Sequence, residues 1–424
     1  MQRPHRAGRA LGCALLLALA APEAPAQART PDAHPATLEL EQALERTLAH
    51  NRELVASGHR LAERRAEREQ AGLLPNPQLG LLVEDALGGG DYEGFDSADT
   101  TLSLAWVLEG RLRRERVGVA EAGSALAEAD AEILRIDVAA DTAEHFLESL
   151  THQARLARAD EAIALAERTL DAVGGRVQAG RAPRAELARA RAELAVSRLA
   201  RDDVTHELAI AYRHLAAQWG DTEPGFGRVG GDLLALPSIE PYEKLVAGLE
   251  RNPQLARYAT EERLAKADLR LARAERWPSL RPSIGVRRHE ASDDFALVAG
   301  VTLPIPLLDR NQGAIGRSRA AVARTRAEAD AARVRLRTAL FALYEELEHY
   351  LHRAGTLRSE VIPSLGEALE GTRRGYERGR YGYAELRSVR ADLLRAQGDL
   401  LEASAGAHRL VIALERLTGE RVAR

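Results

Sequence analysis

Two very long segments with apolar residues at seven-residue spacing constrain the fold more than any other feature of the sequence. They cover about residues 112–172 and 313–370. At about 1.5 Å per residue, a helix of about sixty residues is about 90 Å long, several times the length of a helix in a globular protein. The clearest rows are Leu126, Ile133, Ala140, Leu147 and Ala154, followed later by Val322, Ala329, Leu336, Leu343, Tyr350 and Leu357. Heptad rows that contain many alanines predict closely packed helices in a left-handed coiled coil.

The two long segments lie in two copies of one sequence unit. An offset of 199 residues aligns glycine, arginine and leucine positions of the first half with those of the second. The aligned pairs include Leu104 with Leu303, Arg111 with Arg310, Arg191 with Arg390 and Gly220 with Gly419; with short gaps, Asn51 aligns with Asn252 and Pro75 with Pro278. We therefore predict a first structural repeat at 29–220, a linker at 221–240 and a second structural repeat at 241–424.

Each copy predicts the same order of elements. A helix, at about 38–72 and again at about 241–276, ends at a proline-containing corner. Two short strands, the long helix, a glycine-rich turn and a last helix follow. The strands of the first copy are predicted at 78–86 and 100–108, and strands of about nine or ten residues can cross a bilayer when they are tilted. The apolar face in the second copy consists of Leu297, Ala299, Val301, Leu303 and Ile305.

The N-terminus predicts export from the cytoplasm. Three arginines precede a continuous apolar run, and a small-residue cleavage site ends at Ala28, so residues 1–28 have the form of a secretory signal peptide. Cleavage would remove Cys13, the one cysteine of the chain, and no disulfide could then form. From 59 basic and 63 acidic residues, the loss of three arginines and one glutamate leaves a net charge of −6, which argues against nucleic acid as a partner.

Four strands per chain are too few to close a membrane barrel, because known barrels begin at about eight strands. Open strand edges inside lipid would leave backbone groups unpaired, which is costly. Three chains together would supply twelve strands, with a matching tube of helices beside them. The segment LPIPLLDRNQGAIG at 303–316 would form the junction, because Pro304 and Pro306 end strand pairing and Asp309 or Asn311 can cap the long helix.

The sequence resembles the TolC family of outer-membrane efflux proteins across nearly the whole chain after residue 28. The segments AGLLPNPQL, LPIPLLDRNQGAIG and RYGYAELRSVRADLLRAQGDLLEA most resemble the heavy-metal branch, which serves cobalt–zinc–cadmium and copper–silver exporters. The resemblance implies a mainly α fold with a small β part, in which a homotrimeric 12-stranded β-barrel in outer-membrane lipid stands on a long periplasmic α-barrel. It also implies passive conduction, without a cofactor, for an inner-membrane pump and its periplasmic adaptor. One departure is the missing acylated cysteine found in some members.

The turns at 176–187 and 376–386 are the best candidates for a functional site. Each joins a long helix to its returning partner and so would lie at the far end of the helical tube. Gly180 and Gly379 suit a left-handed helix ending, and Pro183 suits the first turn of the next helix. The resemblance implies that this tip meets the adaptor through Arg176, Gly180, Arg181, Tyr376, Gly379 and Arg380.

The resemblance also implies an acidic constriction at the tip. Glu385 falls where the family often has its pore-constricting acidic residue, and Glu186 is its repeat mate. Three chains would bring several like charges together, and Arg181 and Arg380 are close enough in sequence to offset them. We therefore expect Glu186 and Glu385 to line a closing aperture.

A second candidate site is the helical segment that contains Glu345, His349 and His352. Spacings of four and three residues can place a carboxylate and two imidazoles on one helical face, as a metal site needs. Without a cysteine or a further clustered ligand, a solvated helix face is the simpler interpretation. We find no paired nucleophile and base and no nucleotide-binding or zinc-protease motif, so the sequence does not predict an enzyme.

We therefore predict the passive outer-membrane duct of an efflux pump, with metal cations as the expected cargo. The residues leave open a duct for drugs or for type I protein secretion. A periplasmic coiled-coil adaptor is a further alternative, although adaptors need lipoyl-like and β-domain modules that the sequence does not contain.

Overall fold

The computed structural model describes residues 37–419, which are mainly helical. The predicted signal peptide and its cysteine lie outside these residues. The elements of the first half are β1 (Thr37–Leu38), α1 (Leu40–His50), α2 (Arg52–Gly72), β2 (Gln78–Glu84), β3 (Asp99–Ala105), α3 (Gly110–Gln178), α4 (Arg184–Ala217) and β4 (Arg228–Val229). Those of the second half are α5 (Tyr242–Leu249), α6 (Pro253–Ala274), β5 (Arg281–His289), β6 (Asp294–Thr302), α7 (Gln312–Thr356), α8 (Ile362–Glu377) and α9 (Tyr383–Thr418). Two helices, two strands, a long helical segment and a returning helix therefore occur twice.

The long helices are longer than the heptad rows predict. Helix α3 has 69 residues, and at about 1.5 Å per residue it is about 100 Å long. The second long segment runs from Gln312 to Glu377 but is not one α-helix, because a π-helical turn at Leu357–Val361 separates α7 from α8. Pro363 lies in the first turn of α8, directly after the π-helical turn, and has no backbone N–H to donate to the preceding turn. The prediction of one unbroken helix at 313–370 is therefore wrong at this turn.

The helices pack side by side, and the apolar rows of neighbouring helices contact each other. Helix α3 packs against α2, α4 and α6, and α7 packs against α6 and α9. Leu340 and Leu347 of α7 are fully buried against Leu414 of α9. A separate cluster surrounds the short β1–β4 pair and includes Phe146 and Trp219. Among residues 37–419, no helix has the length and apolar character needed to cross a bilayer.

The four long strands form one antiparallel sheet in the order β2-β3-β5-β6. The pairing of β3 with β5 joins the hairpin of the first half to the hairpin of the second. The strands end earlier than predicted, at Glu84, Ala105 and Thr302. The prolines explain the last of these ends, since Pro304 has no N–H to donate to a neighbouring strand.

The start of α7 differs from the sequence prediction in its capping. Asn311 occupies the N-cap position with φ of 58°, but its side chain makes no cap. Its Nδ2 instead donates to the Ala272 carbonyl and to Glu275 Oε2, both at 2.9 Å. Asp309 Oδ1 accepts from the Asn311 backbone N–H at 2.8 Å. Asn311 therefore fastens the start of α7 to the end of α6, and this contact holds the corner between strand and helix.

Two asparagines break the first helix predicted for each half. Asn51 separates α1 from α2 and Asn252 separates α5 from α6, and each side-chain oxygen accepts two backbone N–H groups of the helix that follows. Each Nδ2 donates to a carbonyl near the end of the returning helix of the same half, Gln218 for the first and Leu417 for the second. Equivalent contacts at aligned positions support the internal repeat.

We expect Asn252→Ala to destabilise the second half. The substitution removes a helix cap, which contributes about 0.5–2 kcal/mol, and leaves the Leu417 carbonyl without its donor at a cost of about 1–3 kcal/mol. Asn252 is 1 % exposed, so water cannot replace the lost bonds. Loss of helical circular dichroism on heating the detergent-solubilised protein should shift to lower temperature. Asn51→Ala should have a smaller effect, because Asn51 is only partly buried; equal unfolding of wild type and both variants would contradict the assignment.

Candidate functional site at the helical turns

Two tight turns close the α3–α4 and α8–α9 hairpins. Gly180 has φ of 69° and Gly379 has φ of 77°, the left-handed conformation predicted for both. In the first turn the Arg181 N–H donates to the Arg176 carbonyl at 2.8 Å, and in the second the Arg380 N–H donates to the Gly375 carbonyl at 2.8 Å. Pro183 precedes α4 at the N-cap position, one residue before the predicted first turn. The two turns are therefore built in the same way.

The two turns contact each other through Arg176 and Tyr376. The Arg176 guanidinium lies over the Tyr376 ring, 4.3 Å from its centroid, and donates to the Tyr376 carbonyl. A second guanidinium nitrogen donates to the Arg181 carbonyl at 3.1 Å. The Tyr376 hydroxyl donates to Glu186 Oε2 at 2.9 Å. Four of the predicted site residues therefore meet in one contact between the two halves, namely the side chains of Arg176, Tyr376 and Glu186 and the carbonyl of Arg181, and we call this group the turn contact.

An apolar cluster lies beneath the turn contact. It joins both hairpins through Val173, Ala190, Leu369, Tyr376, Tyr383 and Leu386. Burial raises the pKa of Tyr376 well above its usual range, and the hydrogen bond to Glu186 and the Glu186 charge raise it further. Burial, followed by the negative charge of Glu193, raises the pKa of Tyr383 to about 12. Both phenols therefore stay neutral at physiological pH, and Tyr376 remains a hydrogen-bond donor.

A buried ion pair also joins the two hairpins and was not predicted from the sequence. Arg390 of α9 donates to Glu193 Oε2 of α4, and their side chains are 10 % and 22 % exposed. The repeat mate Arg191 is exposed, so the alignment of the two arginines conceals different environments. The available signal was the spacing of Tyr383, Leu386 and Arg390, which puts a charged residue in an apolar helical row.

The two predicted aperture carboxylates occupy different environments. Glu385 is exposed, whereas Glu186 is partly buried and accepts the Tyr376 hydroxyl. Within residues 37–419, neither carboxylate forms an ion pair with Arg181 or Arg380, and both arginines are exposed. The arginines predicted to offset the acidic charge therefore do not do so inside one chain. Only Glu385 presents a carboxylate that is free to face solvent.

The predicted metal candidates on α7 are not brought together. Glu345, His349 and His352 are all exposed. Among the residues that the structure describes, one group of three ligating side chains has donor atoms close enough to hold an ion, and it is His145, Glu148 and His214. Because its members come from α3 and α4, local spacing in the sequence could not reveal it.

Comparisons with known proteins support a channel fold. A family model described as "Outer membrane efflux protein" matches residues 43–221 and 245–420. The cobalt-zinc-cadmium resistance protein CzcC of Cupriavidus metallidurans is 30 % identical over 343 residues, which cover 81 % of each chain. The outer membrane protein VceC of Vibrio cholerae superposes with a TM-score of 0.72 and 18 % identity, covering 90 % of this chain and 96 % of that one. A structure of CusC, a transmembrane channel, gives a TM-score of 0.70 and 18 % identity, with 90 % and 92 % coverage.

Proposed function

The chain belongs to the outer membrane efflux protein family, and from this premise we propose that it is the exit channel of a tripartite efflux system for metal cations. The protein is located in the outer membrane and extends into the periplasm. In the proposed assembly three copies form one channel, and a periplasmic adaptor and an inner-membrane pump supply the cargo. Members of the family are ducts and not enzymes, so the energy for transport would come from the pump.

The observation that carries the proposal is a two-faced sheet with two open edges. One face holds exposed apolar side chains in register across all four strands, as in the row Leu81, Leu102, Val286 and Leu297. The opposite face holds mainly small and polar residues, as in the row Gln78, Ala105, Ser283 and Gly300. Apolar side chains outside and small or polar ones inside are the pattern of a transmembrane barrel wall.

Aromatic side chains lie at both ends of the apolar face. Phe295 is at the loop end of β6 and is 69 % exposed, and Trp106 follows β3 at the helix end and is 39 % exposed. Aromatic girdles of this kind mark the two membrane interfaces of a barrel. Strands β2 and β6 each pair on one side only. Three copies would pair every edge and leave no backbone group open to lipid.

Engineered disulfides would test the closed trimer. Leu82→Cys on one open edge, combined in turn with Ala296→Cys or Val298→Cys on the other, should give covalent trimers when native outer membranes are oxidised. Thr101→Cys with Arg287→Cys is the matched control, because these residues face each other within one sheet and should bond inside a single chain. Only monomers from every edge pair, with the control pair oxidised normally, would contradict the trimer.

The cargo requires a separate test. CzcC carries cobalt, zinc and cadmium in its name, which favours metal cations over drugs or secreted proteins. Deletion of the gene should lower tolerance of Co²⁺, Zn²⁺ or Cd²⁺ and leave tolerance of dyes and antibiotics unchanged. The reverse result would support a drug duct, and loss of one secreted protein would support type I secretion. A soluble adaptor would be released from membranes without detergent, whereas the channel should not.

A further inference from the structure

Three side chains that can ligate a metal meet where α3 packs against α4, far from the turn contact. We call this helix–helix contact the α3–α4 seam. His145 and Glu148 lie one turn apart near the midpoint of α3, and His214 lies in the last turn of α4. One donor atom from each residue lies within 4.8 Å of the other two. His145 Nδ1 is 3.2 Å from Glu148 Oε2, and the two imidazole rings are 5.7 Å apart between centroids.

Pairs of charged or imidazole side chains recur along the seam at about seven-residue intervals, and the basic member of the pair changes from histidine to arginine along its length. One heptad from His145, His152 Nδ1 is 3.3 Å from Glu207 Oε2 but makes no hydrogen bond. Farther toward the turns, the seam is closed by acid–arginine pairs, such as Asp160 with Arg201 at 3.0 Å. An arginine in such a pair would repel a metal cation. In the half of the seam near His214, the basic partners of the carboxylates are the histidines His145 and His152 instead.

The arginine next to His214 in sequence does not compete for this group. Arg213, the neighbour of His214 in sequence, points to Glu223, with Nη2 3.2 Å from Oε1. Glu148 is 44 % exposed as a side chain, and His214 is also exposed. The three donors are therefore reachable from solvent, and side-chain rotation can shorten their separations to those of a bound ion.

The donor set selects a class of ion. Two imidazoles and one carboxylate, with water at a remaining position, suit Zn²⁺ and its neighbours Co²⁺ and Ni²⁺. Ca²⁺ and Mg²⁺ prefer oxygen ligands and need more of them. A plain ion pair between His145 and Glu148 would need a protonated imidazole, and it would not account for the position of His214.

We propose that His145, Glu148 and His214 form a binding site for a divalent transition-metal cation in the wall of the helical bundle. The site goes beyond a conduction pathway, because a passive duct needs no protein ligands for its cargo. With three protein ligands and an open position, the ion would exchange with solvent. Occupancy would tie the end of α4 to the middle of α3.

Cobalt titration of the purified full-length protein in detergent tests the site. The wild type should bind one Co²⁺ per chain, with visible absorption from ligand-field transitions, and Zn²⁺ should displace it while Ca²⁺ should not. His214→Ala should weaken Co²⁺ binding by about tenfold or more, since even the partners of metal ligands contribute about 10–100-fold. The matched control is His349→Ala combined with His352→Ala, which removes two exposed histidines of α7 and should leave the titration unchanged.

A replacement ligand separates binding from folding. His214→Cys should keep a tight site, add a sulfur-to-cobalt charge-transfer band and shift preference toward Cd²⁺. The proposal is overturned if wild type and His214→Ala bind Co²⁺ equally, or if the α7 control loses binding instead. Channel conductance in planar bilayers is an independent readout: a conducting channel without this Co²⁺ site overturns only the site, and a metal-binding protein without conductance overturns only the channel.

Discussion

Gly285→Ala is expected to reduce strongly the assembly of the four-stranded sheets into a trimer. A Cβ at this position would lie 2.6 Å from the Leu102 carbonyl oxygen and 3.0 Å from the Ser103 Cα, so the β3 backbone would have to move. This contact lies in the one strand pair that joins the two halves of the chain. Overpacking costs about 1–3 kcal/mol per site, and a trimer contains three such sites. We expect at least about a tenfold loss of trimer, since about 1.4 kcal/mol corresponds to a factor of ten.

Gly300→Ala is the matched control for the close strand contact. Its Cβ would meet only the Ser283 Oγ, at 2.8 Å, and that hydroxyl can rotate away. Trimer yield in outer-membrane fractions, measured by gel migration without boiling, should be near wild type for Gly300→Ala. Gly285→Val should be at least as defective as Gly285→Ala. Wild-type yields for both Gly285 variants would mean that β3 and β5 are not packed as described.

Glu385→Lys is expected to reduce or reverse the cation preference of the channel. If the turns form the aperture, three copies of Glu385 would surround the pore, and a ring of carboxylates favours cations. Its side chain is exposed, so the exchange would replace three solvated negative charges by three positive ones, at a cost of about 0.3–1 kcal/mol each because Glu385 lies in the first turn of α9. Reversal potentials in planar bilayers under a salt gradient give the preference directly.

Glu186→Gln is the informative comparison for the aperture. Its carboxylate already accepts from the Tyr376 hydroxyl, and an amide oxygen would accept more weakly, so the exchange should disturb the turn contact more than the pore charge. We therefore expect a smaller change in reversal potential and more frequent spontaneous openings. Equal selectivity for wild type, Glu385→Lys and Glu186→Gln would remove both residues from the aperture.

Local periodicity explains how much of the fold could be predicted from the sequence. Strand alternation, heptad rows and glycine-rich turns depend on residues a few positions apart, and these elements are present in the predicted order although several of their ends differ. The internal repeat was visible because the same residues recur at an offset of 199 positions. The breaks at Asn51 and Asn252 were not predicted, although each caps the next helix locally; the bonds of these asparagines to carbonyls 167 and 165 residues away could not be seen in local spacing.

The candidate sites also combine features that local sequence patterns predict with features that depend on long-range contacts. Gly180 and Gly379 were predictable because a tight helix ending needs a left-handed residue at one position. The contact of Arg176 with Tyr376 depends on two turns meeting across 200 residues. Local spacing drew attention to His349 and His352 on one helix, whereas His145 and His214 come together only when two antiparallel helices pack. A single sequence reports neighbours along a helix and does not report neighbours across a seam.

The π-helical turn at Leu357–Val361 gives the two halves different mechanical properties. In the first half, α3 runs from the sheet to the turn as one continuous α-helix. In the second, the extra residue of a π turn shifts the angular phase of the side chains between α7 and α8, and a π turn is one of the places where a long helix can kink. A rotation of the turns would therefore bend the second half at the π turn, whereas in the first half it would be transmitted along the whole of α3. In a trimer the helical wall would then alternate a rigid helix, α3, with a segment that can bend, α7–α8. The bending segments could move the turns while the strands in the membrane stay paired.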